Sequence, residues 1–333
     1  MARLGVHAMD RRRFLKGTAA GLVVLPYLDF EALAGGGRRR ASTVALVRAS
    51  NRREGVARAM ALLNPTGMAG KRVVLKPNFN SADGGPAGTH DDTLTQLITE
   101  LKERDARDVT VGESSGPSGT ASVMAAKGTL DLASDHGFGV VDFDELPESE
   151  WVHFSPAGTH WPEGFHLPRV VSDAEYLVST CCLKTHGFGG VFTMSLKLAV
   201  GLTPRPIRRG MHRSPDMRRM IAELNQGYAP DLIVMDGLEA FTDGGPSQGT
   251  LKQANVFVAG TDRVAVDAVG VAILKELGSN DAIMGTPIFA QEQIARAVEV
   301  GLGIRGPGEI ELVSDDTEGW TYAALLKGIL AQG

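Results

Sequence analysis

A chain of 333 residues, 43% of them hydrophobic, with a formal net charge of −5, has the make-up of a soluble globular protein and is long enough for one large α/β domain or two smaller ones. The mildly acidic balance excludes a general nucleic-acid-binding role, which takes a basic face. Cys181 and Cys182 are the only cysteines, and an iron–sulfur cluster takes about four thiolates, so this chain's cysteines are expected to bind no such cluster.

The first predicted feature is a targeting segment. Arg11, Arg12 and Arg13 precede Phe14-Leu15-Lys16; an apolar run over 18–28 follows, then Ala32-Leu33-Ala34 before Gly35. Basic region, short apolar region and A-x-A site are the parts of an export signal, and the paired arginines resemble the twin-arginine type. The apolar run is shorter than the about 20 residues that span a bilayer. Residues 1–34 are therefore expected to be a twin-arginine signal peptide. The twin-arginine translocase is the expected partner during export, and the destination is the periplasm or the exterior. No stable membrane span is expected after cleavage.

Over 43–331 apolar β-branched runs alternate with helical patterns. Strands are predicted over 43–49, 72–76, 109–112, 139–143, 176–183, 232–236, 255–259 and 310–313. Helices are predicted over 54–63, 93–104, 121–136, 192–200, 215–226, 265–276, 289–299 and 321–330. Several strands are nearly continuous apolar runs, as in sheets buried on both faces. The fold class that follows is α/β, with a mostly parallel or mixed sheet covered by helices on both faces. An irregular excursion is expected at about 144–170, which is rich in Pro, Gly, Trp and His.

Ligands of open parallel sheets bind beyond the carboxyl ends of the strands. Here those ends carry polar groups: Lys76-Pro77-Asn78, then Glu113-Ser114-Ser115-Gly116, then Lys184-Thr185-His186, then Asp236 with Glu239 close behind. Lys76 and Asn78 offer an ammonium and an amide beside a stiff proline, or else a plain strand-ending turn. The turn at Glu113 offers backbone N–H groups to an anion and a carboxylate for proton transfer or metal binding; alternatively Ser115 or Ser118 caps a helix. No P-loop or dinucleotide fingerprint is present. Lys197 is the one charged residue over 192–200, and Gly187, Gly189 and Gly190 let a ligand approach the backbone. His212 and Arg213 form either a clamp for a carboxylate or phosphate or a solvated basic loop. His90 faces a ligand or a loop, with Asp91 or Asp92 as the cap of the next helix. Asp236, Glu239 and Asp243 are expected on a flexible loop, where a divalent cation is a candidate. His136, His153, His160 and His166 show no metal-binding spacing.

The segments "VALVR", "VVLKPNFNS", "GTHDDTLTQLITELK", "DVTVGESSG", "CLKTHGFGGVFTMSLKLAVGL", "HRSPDMRRMIAELN", "DLIVMDGLEAFTDGGPSQG" and "VFVAGTDRVAVDAVG" together resemble the DUF362 family, from about residue 44 to 313. The family is named for its unknown function, so the resemblance implies a fold more than a chemistry. Many relatives carry cysteine-rich ferredoxin modules, which this sequence lacks, and relatives tend to show an asparagine where Leu198 follows Lys197. A looser likeness to the N-terminal part of nickel-pincer racemases carries no residue across.

The expected function is an exported enzyme acting on a small anionic ligand, a carboxylate or a phosphate, by isomerase- or lyase-like acid–base chemistry or with a metal ion. Lys184, His186 and Glu113 are the candidate catalytic groups. Lys76, Asn78, His90, Ser114, Ser115, Lys197, His212 and Arg213 are the candidate binding groups, and Asp236 and Glu239 the candidate metal ligands. The alternatives are a periplasmic ligand-binding or cofactor-handling protein without turnover, and an iron–sulfur-associated redox protein lacking its own cluster.

Overall fold

The computed structural model describes residues 41–332, so the expected signal segment lies outside the described residues. Strand β1 (Ser42–Arg48) is followed by α1 (Arg52–Leu63), β2 (Arg72–Lys76), α2 (Asp91–Glu103), β3 (Asp108–Glu113), α3 (Thr120–Ala126), α4 (Thr129–His136) and β4 (Gly139–Asp142). Next come β5 (Trp151–Phe154), β6 (Phe165–Pro168), α5 (Arg169–Ser172), β7 (Tyr176–His186), β8 (Val191–Thr193), α6 (Ser195–Leu198), α7 (Arg205–Met211) and α8 (Met217–Leu224). The chain closes with β9 (Leu232–Gly244), β10 (Gly249–Gly260), α9 (Arg263–Leu277), α10 (Asp281–Met284), α11 (Glu292–Glu299), β11 (Ile310–Val313) and α12 (Thr317–Leu330).

A 9-stranded sheet runs in the order β11-β1-β10-β9-β7-β2-β3-β4, with β8 paired to β7. The run β9-β7-β2-β3-β4 is parallel throughout, as is β11 with β1. Strand β10 is antiparallel to both β1 and β9, and β8 to β7. Alternate side chains leave opposite faces. Val44, Leu46, Ile233 and Met235 therefore pack with α9 and α12, whereas Ala45, Val47, Leu232 and Val234 pack with α1 and α2. A third cluster joins Val74 and Leu177 to Phe165, Leu202 and Met220. Central β7 is buried along its whole length, its apolar first part in the core and Lys184 and His186 at its carboxyl end. The architecture is a mixed, mostly parallel α/β fold with helices on both faces. Helix starts are fixed by side chains: Asn51 accepts from Glu54 N at 2.9 Å, and Asp262 from Val264 N and Ala265 N at 2.8 and 2.9 Å.

Several boundaries differ from the sequence expectation. The helix expected over 121–136 is two helices, split at Gly128, whose φ of 62° is left-handed. The helix expected over 192–200 is a strand and a four-residue helix. Phe192 pairs with Thr185 across the antiparallel β7–β8 ladder, and that pairing overrides the helical spacing. Strand β7 runs through His186 and β9 through Gly244, so Asp236, Glu239 and Asp243 lie in a long hairpin strand, not a loop. Over 144–170 the structure has short 3-10 turns and the antiparallel β5–β6 hairpin. Among the described residues no helix is long and apolar enough to cross a membrane.

Candidate functional site

The carboxyl ends of β2, β3 and β7 lie on one edge of the sheet, and Lys76, Asn78, Glu113, Ser114, Lys184 and His186 line a single cavity there. Lys197 and Thr193 join them from the segment that returns after β7. The cavity measures about 60 Å³. That is room for about four water molecules, or for a ligand of similar size.

Lys76 and Glu113 form the floor. The Lys76 Nζ lies 2.5 Å from Glu113 Oε1, and both side chains are 2% exposed. Glu113 also accepts from Phe79 N and Ser114 N, each at 2.8 Å, and Lys76 donates to Pro77 O at 2.7 Å. Burial pushes the Glu113 carboxyl up and the Lys76 ammonium down, and each shift is opposed by the partner's charge. Both Glu113 oxygens are engaged, so the carboxyl expected from the sequence to move a proton is paired here with Lys76 and two backbone N–H groups.

Lys184 is fully buried and donates to Ala87 O and to Pro246 O, the latter at 3.2 Å. An ammonium has three donors, so one N–H remains. Lys197 is 8% exposed and has no hydrogen-bond acceptor among the described residues. Burial lowers its pKa to about 7, helped by the positive charges of Lys184 and Arg208. His186 falls to about 2 through burial, reinforced by Lys197, His212 and Lys184, so its imidazole is neutral. Its Nδ1 is buried without a partner, as are Asn78 Oδ1 and Thr193 Oγ1. Buried polar atoms are rarely left unpaired, and here three of them face one cavity. Gly190 packs closely against them: a Cβ there would sit 2.8 Å from Lys197 Cε and 3.0 Å from His186 Nδ1. Val191 follows at φ 62°, a conformation costly for a β-branched residue. Exposed Phe188 sets its ring edge on His186 with centroids 6.0 Å apart.

Other expected residues fall elsewhere. His90 is the N-cap of α2 and accepts from Asp92 N at 3.1 Å, displacing Asp91 and Asp92 from that role. Neither Ser115 nor Ser118 caps α3, whose N-cap is Gly119. Ser115 is buried behind the cavity, where its carbonyl accepts from Arg208 at 2.9 Å. His212 and Arg213 are exposed, and His212 Nδ1 lies 2.7 Å from Arg208 O. Asp236 and Glu239 do not fit a cation: Arg52 occupies them, Nε to Asp236 Oδ2 at 2.9 Å and Nη2 to Glu239 Oε2 at 2.8 Å, and Thr93 also donates to Asp236 at 2.6 Å. A guanidinium already supplies the charge a metal would bring. Among the described residues no group of three or more His, Cys, Asp or Glu side chains is arranged to hold a metal ion. Cys181 and Cys182 are free and buried, with thiols pushed up by that burial.

Two supporting residues were not singled out from the sequence. Arg208 is buried and donates to the carbonyls of Ser114 and Ser115, both at 2.9 Å, and to Ser114 Oγ. It is three residues from Arg205, which pairs with Asp144 at 2.8 Å; that spacing puts both on one helix face. Asp267 is the one acid within the buried run 264–274 of α9, and it accepts from Ser195 N at 2.7 Å and Leu196 N at 3.0 Å. It thereby holds the short helix that carries Lys197.

The family model described as "Domain of unknown function (DUF362)" matches residues 73–272. Among curated proteins, the thylakoid-associated protein sll1697 of Synechocystis sp. is 25% identical over 213 residues, which cover 62% of this chain and 64% of that protein's length. Among solved structures, the lactate racemase apoprotein of Thermoanaerobacterium thermosaccharolyticum aligns with a TM-score of 0.47 and 14% identity over 85% of each chain. The cavity-lining lysines, Glu113, Arg208 and Asp267 all lie within the matched stretch, which is more than half of the sequence, and the chain belongs to the DUF362 family.

Proposed function

We propose that the protein is an enzyme that holds a small carboxylate or phosphate at Lys184 and Lys197 and moves a proton on it, in isomerase- or lyase-like chemistry. One observation carries this reading: two buried lysines line one cavity, and neither has a carboxylate within ion-pair distance among the described residues. Burying a cation without a partner costs several kcal/mol in effective terms, a cost that an anionic ligand offsets. Lys197, near neutrality, suits proton transfer at physiological pH. Neutral His186 offers a second donor or acceptor. Delivery across the cytoplasmic membrane, argued from residues 1–34, belongs to the same proposal; it predicts that changing Arg11, Arg12 and Arg13 to Lys keeps the protein in the cytoplasm on fractionation.

Thermal unfolding with acetate, oxalate and phosphate, against chloride at equal ionic strength, tests the binding site. At least one of the three anions is expected to raise the Tm, with stabilisation of about 2.7 kcal/mol at a concentration near 100 times its Kd. Lys197→Met is expected to lose most of that gain. A Tm unmoved by all three anions would remove the anion site.

A further inference from the structure

Resting on the anion-pocket reading above, we propose that Lys197 is a nucleophile whose amine forms an imine with the carbonyl carbon of a short 2-oxo acid, while Lys184 holds that acid's carboxylate. The three lysines of the cavity differ in what holds them. Lys76 is locked to Glu113 at 2.5 Å, and Lys184 is tethered by Ala87 O and Pro246 O. Both nitrogens are already engaged, and burial lowers the pKa of each. Lys197 alone has no acceptor, so no hydrogen bond has to break before its nitrogen attacks.

The groups that face Lys197 favour the neutral amine. Lys184 and His186 come from β7, Arg208 from α7 and His212 just after it, and the nearby acid, Glu113, is paired with Lys76. A buried lysine beside other cations is a usual form of an amine nucleophile. Gly190 packs against Lys197 Cε and His186 Nδ1, where any side chain would displace both. The cavity of about 60 Å³ suits an oxo acid of two or three carbons.

The step balances without a co-reactant. The Lys197 nitrogen adds to the carbonyl carbon, and the oxygen takes a proton to become a hydroxyl. The resulting carbinolamine loses one water as the C=N bond forms. The proton passes from the nitrogen to the departing oxygen, and the unpartnered Nδ1 of the neutral His186 can hydrogen-bond the carbinolamine. The imine then draws electrons from an adjacent C–H or C–C bond, which is the electron flow that isomerase and lyase reactions of oxo acids need.

Incubation of the full chain with pyruvate or glyoxylate and sodium cyanoborohydride tests this, read by intact mass and peptide mapping. One adduct is expected, heavier than the protein by the oxo acid's mass less one oxygen, and located at Lys197. It should form on the order of tenfold or more faster than on any surface lysine, whose pKa lies near 10.4. It should slow as the pH falls below 7, compete with oxalate and be absent from Lys197→Arg. Adducts spread evenly over surface lysines, with Lys197 unmodified while oxalate still raises the Tm, would overturn the imine and leave the anion site standing. If acetate, oxalate and phosphate all fail to stabilise the protein, both readings fall.

Discussion

Lys197 shows how one residue's surroundings set its chemistry. In the unfolded chain its ammonium titrates near the ordinary lysine value of about 10.4. In the folded protein, burial and the charges of Lys184 and Arg208 bring it to about 7. A folded pKa below the unfolded one means that the folded state binds fewer protons between those two values. Stability from this group is therefore present above about pH 10 and lost as the pH falls towards 7, by about 1.4 kcal/mol per unit. Lys197→Met removes that dependence and the desolvation cost with it. Urea unfolding of both proteins from pH 7 to pH 10 is expected to show the variant the more stable at pH 7, with the gap closing as pH rises. A gap that stays constant across that range would mean that Lys197 keeps an ordinary pKa.

At the scale of elements, the short helix α6 depends on a residue from a distant one. Four residues cannot hold a helix by their own propensity. The carboxylate of Asp267 on α9 accepts the first two N–H groups of α6 and sets where Lys197 stands. Asp267→Ala is expected to cost about 1–3 kcal/mol by leaving those donors unpaired. It should also weaken oxalate binding without changing the affinity of any surface site, measured by calorimetry. Unchanged oxalate affinity in a folded Asp267→Ala protein would separate α6 from the site. This dependence was only half legible in the sequence. A single acid in the apolar run of α9 was visible, but its partners lie 71 and 72 residues away and no local pattern names them. The β-structure of 191–193 was hidden for a related reason: its pairing with β7 is tertiary, whereas spacing within the segment reads as helical. Arg208 carries a fainter signal, its place three residues from Arg205 in an arginine-rich stretch.

Across the whole molecule, the site follows from topology. Parallel pairing of β2 with β3 and with β7 puts their carboxyl ends on the same edge, so Lys76, Glu113 and Lys184 meet although more than a hundred residues separate the first from the last. The sequence showed this convergence because apolar strands ending in polar residues are a local pattern. It could not show which charges pair. Asp236 lies within neighbouring β9, yet its carboxylate goes to Arg52 of α1 and Thr93 of α2 and stays out of the cavity. Nor did it show β10 inserted antiparallel between β1 and β9, since alternation of strands and helices does not fix strand order. The central claim is that this edge holds an anion against an amine poised near neutrality. Titration of the lysine side-chain nitrogens by NMR, with Lys197 assigned through Lys197→Met, tests it most directly. Lys197 is expected to titrate near pH 7 in the protein alone, and at a higher pH with saturating oxalate, because the bound anion favours the ammonium. A Lys197 that titrates above pH 9 and ignores oxalate would contradict the account.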